Sequence, residues 1–296
     1  MSKAFAGIYA ALVTPFVDDS VSIEKFRDNI RKFDGYGLAG YVVLGSTGEC
    51  VSLSEDESAD LVKAAREAAG KGQQVIAGTA RESTKLTVEF TNRAADFGID
   101  AALVRPPSYF KSKMTADILK GYFLAVADRA RVPVIIYNIP QNTGIALDAK
   151  LIVDLSAHPN IAGLKESGGN IALLGDVIRR VPDDFCYLLG HGSVFLPALL
   201  MGASGAILAV ANAAPALCAK IYALYKEGRT AEAAARQLDL IPFNKAIMET
   251  YGIAGLKYAL DLQGWNGGDP RRPLPPLDAA GKSEIAAHLK KLGLID

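Results

Sequence analysis

Short runs of aliphatic and β-branched residues recur along the chain, and between them the apolar positions switch to a helical spacing. The runs predict strands at residues 9–13, 40–44, 74–78, 101–104, 134–138, 161–165, 186–189 and 205–209. The amphipathic segments predict helices at 23–36, 56–69, 84–97, 115–129, 148–156, 171–181, 194–201 and 213–227. Ser54 with Glu57 three residues on reads as a capping box opening the second helix. Eight strands, each followed by a helix, are what a closed (β/α)8 TIM barrel of the α/β class requires. A doubly wound open sheet explains fewer of them. Its first strand usually leads into a GxGxxG turn, and Val13-Thr14-Pro15-Phe16 is not one.

After Gly228 the strand pattern stops. Helical spacing continues at 230–239, 244–251, 254–262 and 283–291, interrupted by a Gly- and Pro-rich loop over 264–276. The division expected is a catalytic barrel over residues 1–227 and a C-terminal helical extension over 228–296. The extension is expected to serve packing or assembly rather than chemistry. Residues 185–219 contain no Asp, Glu, Lys or Arg, a pattern that a hydropathy scan flags as a membrane span. Pro197, Pro215, Gly190, Gly192, Gly202 and Gly205 break the run, so it is read as strand, short helix, strand and helix start in a parallel core.

Composition narrows the function. Half of the 296 residues are hydrophobic, enough for a large core. Lys plus Arg and Asp plus Glu both number 32, which argues against a general nucleic-acid binder or a polybasic membrane clamp. The three cysteines, Cys50, Cys186 and Cys218, form no CxxC, and His158, His191 and His288 are scattered, so neither a disulfide framework nor a metal site is expected. Residues 1–7 hold one Lys and no apolar run of signal-peptide length. A reduced, cytoplasmic enzyme is expected.

In a barrel, chemistry sits at the C-terminal ends of the strands. Lys165 ends an apolar strand there; it is either an amine that attacks a carbonyl to form a Schiff base or a lysine paired with a rim carboxylate. Tyr137 ends another strand and is either a proton shuttle or a rim aromatic. Gly45-Ser46-Thr47-Gly48 offers hydroxyls and backbone N–H groups to a carboxylate, or is a plain turn. Glu49 is expected to be buried and hydrogen-bonded to this loop. His191, flanked by glycines, is a secondary candidate. Ser46, Thr47, Tyr137 and Lys165 together supply a carboxylate holder, a proton shuttle and an amine nucleophile. That set fits covalent chemistry on a 2-oxo acid, with an imine as electron sink and neither metal nor organic cofactor.

At these residues the chain resembles the dihydrodipicolinate synthase / N-acetylneuraminate lyase family of class I, pyruvate-handling aldolases. The motifs are Gly45-Ser46-Thr47-Gly48-Glu49, Tyr137-Asn138-Ile139-Pro140 and Gly163-Leu164-Lys165-Glu166-Ser167, and the resemblance runs from Gly7 to about Pro276. It implies a (β/α)8 barrel with a C-terminal helical extension, assembled as a homotetramer, a dimer of dimers. It implies that Lys165 forms the Schiff base and Tyr137 is the acid/base. Ser46 and Thr47 would hold the pyruvoyl carboxylate or relay protons, and Ile207 would contact the pyruvate unit through its backbone.

Three departures from the synthase branch stand out. Where it carries an Arg for the second substrate's carboxylate, this chain has Asn142, which argues against that activity. The paired aromatic reads Tyr109-Phe110, so the proton relay that crosses the dimer interface in the synthases is absent or is served by Tyr109. Val51-Ser52-Leu53-Ser54-Glu55 does not match a lysine-inhibition site, so no lysine feedback is expected. Several short stretches are most similar to 4-hydroxy-2-oxoglutarate aldolase, including Asn142-Thr143-Gly144 and Tyr251-Gly252-Ile253-Ala254-Gly255-Leu256-Lys257. The resemblance therefore implies cleavage of 4-hydroxy-2-oxoglutarate to pyruvate and glyoxylate, with Ser167 and Asn142 holding the far end of the substrate. The alternatives are an aldolase or dehydratase of a sugar-derived 2-keto-3-deoxy acid, a dihydrodipicolinate synthase-like condensation, and a non-catalytic 2-oxo-acid binding protein.

Overall fold

The structure, a computed structural model, describes residues 3–296; Met1 and Ser2, the start of the segment read above for a signal peptide, lie outside them. The chain opens with β1 (Gly7–Ala11) and a small antiparallel hairpin, β2 (Phe16–Val17) with β3 (Ser20–Val21). Then come β4 (Gly40–Val43), β5 (Gln74–Gly78), β6 (Ala101–Val104), β7 (Val134–Asn138), β8 (Ile161–Glu166), β9 (Cys186–Leu189) and β10 (Gly205–Leu208). Strands β4 to β10 and β1 close into one parallel barrel, each strand bonded to its neighbour in sequence and β10 returning to β1. This is the (β/α)8 barrel that the alternating pattern predicts.

The helices are α1 (Ile23–Lys32), α2 (Glu55–Ala68), α3 (Thr84–Asp96), α4 (Ala116–Ala127), α5 (Pro140–Thr143), α6 (Ala149–Ser156), α7 (Ile171–Ile178), α8 (Phe195–Leu200) and α9 (Pro215–Lys226). Beyond the barrel lie α10 (Thr230–Lys245), α11 (Gly252–Leu262) and α12 (Ala279–Lys291). Side chains start many of them. Ser54 and Glu57 form the reciprocal capping box expected at α2, and Ser83, Thr115, Asp148 and Asn170 cap α3, α4, α6 and α7.

Alternation along each strand sends side chains to two cores. On β7, Ile135 and Tyr137 face the barrel interior, while Val134 and Ile136 join the larger cluster between strands and helices. Leu164 on β8 faces the helices with them, which turns Lys165 inward. Leu240, Phe243, Leu256, Leu260, Ile285 and Leu289 of the last three helices belong to that same outer cluster.

Residues 185–219 fold as β9, α8, β10 and the first turn of α9, and among the described residues no helix is long and apolar enough to cross a membrane. Elsewhere the structure departs from the pattern for local reasons. The first strand ends at Ala11 rather than residue 13, because the Asn212 amide donates to the Ala11 carbonyl at 2.7 Å and accepts from the Val13 N–H at 3.4 Å. The β2–β3 hairpin is missed because Asp18 and Asp19, with φ of 46° and 62°, fill a tight turn that usually announces itself with Asn-Gly. α10 runs through Pro242, although a break is expected after residue 239. Pro242 removes the donor for the Leu238 carbonyl, but Leu238 is exposed, so water can serve that group.

Candidate active site

A cavity of about 720 Å³ opens at the C-terminal end of the barrel. Its inner part is built by strand ends: Ser46 and Thr47 after β4, Tyr137 on β7, Lys165 on β8, Ser167 after it, and Ile207 on β10. Six of the eight sequence-predicted site residues therefore converge on one space. Ser167 fits there because Gly190 faces it; a Cβ on that glycine would lie 1.9 Å from the Ser167 hydroxyl.

Lys165 is 3% exposed and Tyr137 is 5% exposed. They are register partners on neighbouring strands, and the Lys165 amine sits 4.3 Å from the centre of the Tyr137 ring. Among the described residues no carboxylate lies within 4.0 Å of the Lys165 amine, so the paired-lysine alternative is set aside. Nor do the polar side-chain groups of Ser46, Thr47, Tyr137 or Ser167 find a hydrogen-bond partner among the described residues. Tyr137, Lys165 and Ser167 are buried and Ser46 and Thr47 half-buried, and the five polar groups line one cavity, an arrangement that suits a bound polar molecule. A neutral amine there can add to a carbonyl, and the adjacent phenol can carry a proton.

Glu166 points the other way. Its buried carboxylate accepts from the backbone N–H groups of Gly168 at 2.6 Å, Gly169 at 3.0 Å and Asn170 at 3.3 Å. Burial raises its pKa despite these donors. It shapes the loop that carries Ser167 and does not reach the cavity.

The loop after β4 is a short 3-10 turn, Ser46–Gly48, closed by Glu49 in the left-handed region at φ 57°. For a residue with a Cβ this costs about 1 kcal/mol or more. Glu49 is buried as expected, but its carboxylate bonds are not to its own loop. It accepts from the Lys257 amine at 2.6 Å and from the Arg271 backbone N–H at 2.8 Å. Arg271 in turn makes a bidentate pair with Glu57, at 2.7 and 2.8 Å, and holds that carboxyl down to about 2.

Residues beyond 227, expected to serve packing or assembly, also form the outer part of the cavity. Ile247, Met248, Thr250, Tyr251, Ile253, Leu274 and Leu277 all line it. Residues 246–250 form a π-turn, a local widening frequent at functional sites. Gln141 and Asn142 of α5 complete the wall, so Asn142 does face the cavity. The sequence carries one signal for this role. Lys257 falls on the buried face of α11, between Leu256 and Leu260, where a lysine needs a partner.

Tyr109 does not reach the cavity within one chain. It is 81% exposed and Phe110 is 69% exposed, the two rings stacked edge to face at 5.0 Å. The chain after β6 is turned outward by Glu82, whose carboxylate accepts from the Ser108 and Tyr109 N–H groups, both at 2.9 Å. His191 also stays outside the cavity. Its Nδ1 accepts from the Ser193 N–H at 3.3 Å, closing a turn, and burial lowers its pKa.

Comparison with known proteins gives the family and the fold. A model of the dihydrodipicolinate synthetase family matches residues 4–292. The 4-hydroxy-tetrahydrodipicolinate synthase of Methanosphaerula palustris is 34% identical over 279 residues, covering 93% of this chain and 95% of that protein. The enzyme of the same name from an Exiguobacterium species is 30% identical over 288 residues, covering 97% and 98%. Among solved structures, a chloride-inhibited dihydrodipicolinate synthase from Acinetobacter baumannii complexed with pyruvate superimposes with a TM-score of 0.93 at 28% identity, over 98% of this chain and 99% of that one.

Proposed function

The chain is an enzyme of the dihydrodipicolinate synthetase family, a family of class I aldolases acting on carbon–carbon bonds, and from that premise we propose that Lys165 carries pyruvate as a Schiff base and joins it to an aldehyde. The observation that carries this reading is the buried, carboxylate-free amine of Lys165 beside the unpaired hydroxyls of Ser46, Thr47 and Tyr137. Family membership sets aside the non-catalytic binding protein.

In this proposal the Lys165 amine adds to the pyruvate C2 carbonyl, and loss of water gives the imine. Ser46 and Thr47 hold the pyruvate carboxylate, Thr47 also passing protons, and the Ile207 backbone flanks the methyl carbon. That carbon loses a proton to give an enamine, which attacks the aldehyde carbon. Tyr137 delivers a proton to the new alkoxide, and water then releases the product from Lys165. Asn142 and Ser167 hold the far end of the aldehyde. No metal or organic cofactor enters these steps.

The relatives' name supports condensation over the narrower reading as 4-hydroxy-2-oxoglutarate aldolase. Their product, a hydroxy-tetrahydrodipicolinate, disconnects beside its hydroxyl into pyruvate and a four-carbon amino-acid aldehyde, aspartate semialdehyde. Cleavage of 4-hydroxy-2-oxoglutarate is the second reading. It is favoured by Asn142, a neutral amide on the wall where the synthases present a guanidinium. A homotetramer in the cytoplasm is part of the same proposal, with the exposed Tyr109 serving a neighbouring chain.

The test starts with pyruvate and borohydride. An adduct mapped to Lys165 by mass spectrometry is expected, and its absence would remove the Schiff-base reading. Pyruvate consumption with aspartate semialdehyde supports the condensation. Pyruvate release from 4-hydroxy-2-oxoglutarate, with no such consumption, supports the second reading instead.

A further inference from the structure

The Glu49–Lys257 pair stands outside the groups given roles above and outside the cavity, yet each of its ends adjoins residues that line it. Glu49 closes the turn that carries Ser46 and Thr47, in a left-handed conformation that a residue with a Cβ holds only when its surroundings impose it. Its two carboxylate oxygens are engaged separately, Oε1 by the Lys257 amine at 2.6 Å and Oε2 by the Arg271 backbone N–H at 2.8 Å. The Lys257 amine donates again, to the Asp269 carbonyl at 3.0 Å. Both side chains are fully buried.

Each partner adjoins the outer wall. Lys257 follows the wall residues Ile253, Ala254 and Leu256, and Asp269 and Arg271 flank the wall residue Pro270. One ion pair thus ties the loop of the inner site to two separate segments of the outer wall. Burial pulls the Lys257 amine below its usual pKa and Glu49 opposes that, as a mutually dependent pair requires.

Resting on the Schiff-base reading, we propose that Glu49 and Lys257 are positioning residues: together they hold the Ser46–Thr47 loop against the C-terminal wall and so align the carboxylate holder with Lys165. Packing alone does not call for charge here, because apolar side chains of similar volume fill a buried site as well or better. A charged, doubly hydrogen-bonded pair adds direction, and a carboxylate held by two hydroxyls depends on their placement to within a fraction of an ångström.

The experiment titrates pyruvate against the borohydride adduct on Lys165 and reads half-saturation and maximal extent separately. Two variants are used, Lys257→Met and the double variant Glu49→Gln/Lys257→Met. The double variant removes both charges, so it avoids stranding a buried carboxylate. In the double variant the half-saturating pyruvate concentration is expected to rise about tenfold or more, the maximal adduct reaching the wild-type extent. A double variant that melts cooperatively with unchanged half-saturation overturns the positioning role. A double variant that fails to fold overturns it too, since the proposal requires the fold to survive loss of the pair. No adduct on the wild-type protein overturns the proposal from the other side, by removing the Schiff base it serves.

Discussion

Among the described residues two lysines are buried, and their surroundings are opposite. Lys257 is 0% exposed and closes on Glu49 at 2.6 Å. Lys165 is 3% exposed and, among the described residues, has no carboxylate within 4.0 Å; an aromatic face and a cavity are what it meets. A buried ammonium without a counter-charge is costly, and at Lys257, where burial pulls the amine below its usual pKa, the Glu49 carboxylate opposes that shift. Depth of burial therefore does not separate a structural lysine from a reactive one. The partner does.

The comparison breaks most completely at Lys165. On the proposed chemistry, Lys165→Ala abolishes both the borohydride-trapped pyruvate adduct and turnover, while the melting temperature stays at or above that of the wild type. A variant that still traps pyruvate there would end the contrast. Tyr137→Phe keeps the ring over the Lys165 amine and removes only the hydroxyl. It is expected to lower kcat by about 10²–10⁴-fold in a steady-state assay. The mirror experiment is Lys257→Met, which strands the Glu49 carboxylate and is expected to cost about 3–5 kcal/mol in urea denaturation, the adduct site on Lys165 surviving.

The smallest effect sharpens the contrast at the periphery of the paired lysine. Arg271 holds Glu57 at about 2, below its ordinary 4.5. A depressed carboxyl stabilises the fold above its unfolded pKa and loses that contribution as pH falls through the folded one. The loss therefore runs between about pH 4.5 and about pH 2. The Glu57 side chain is 27% exposed, so the expected size is only about 1–2 kcal/mol. Chemical denaturation across that range should show the slope, and Glu57→Gln should flatten it.

Much of the barrel is legible residue by residue. Strand 161–165 reads as apolar up to its last residue, and alternation along β8 puts Lys165 on the inner face opposite Leu164. The capping box at Ser54 and the uncharged stretch 185–219 are equally local, each decided by neighbours a few residues away. Tyr109 is the counter-example. Its place in a familiar aromatic pair suggests a part in the site, but the direction of its loop is set by Glu82, which lies 27 residues away and gives no sign of that in its local sequence. Pro242 misleads in the same way, since whether a helix tolerates it depends on which side faces water.

The sequence by itself determined the strand–helix alternation, the closed barrel that its count implies, and the inward placement of Tyr137 and Lys165 at strand ends. These follow from periodicity, which is written in adjacent residues. Tertiary structure alone decided that Lys165 is left without a carboxylate while Lys257 finds one 208 residues away, and that the C-terminal helices wall the cavity. A side chain's pattern records which face it buries. The partner it meets there is set only when barrel closure and the final helices bring distant segments to within hydrogen-bonding distance.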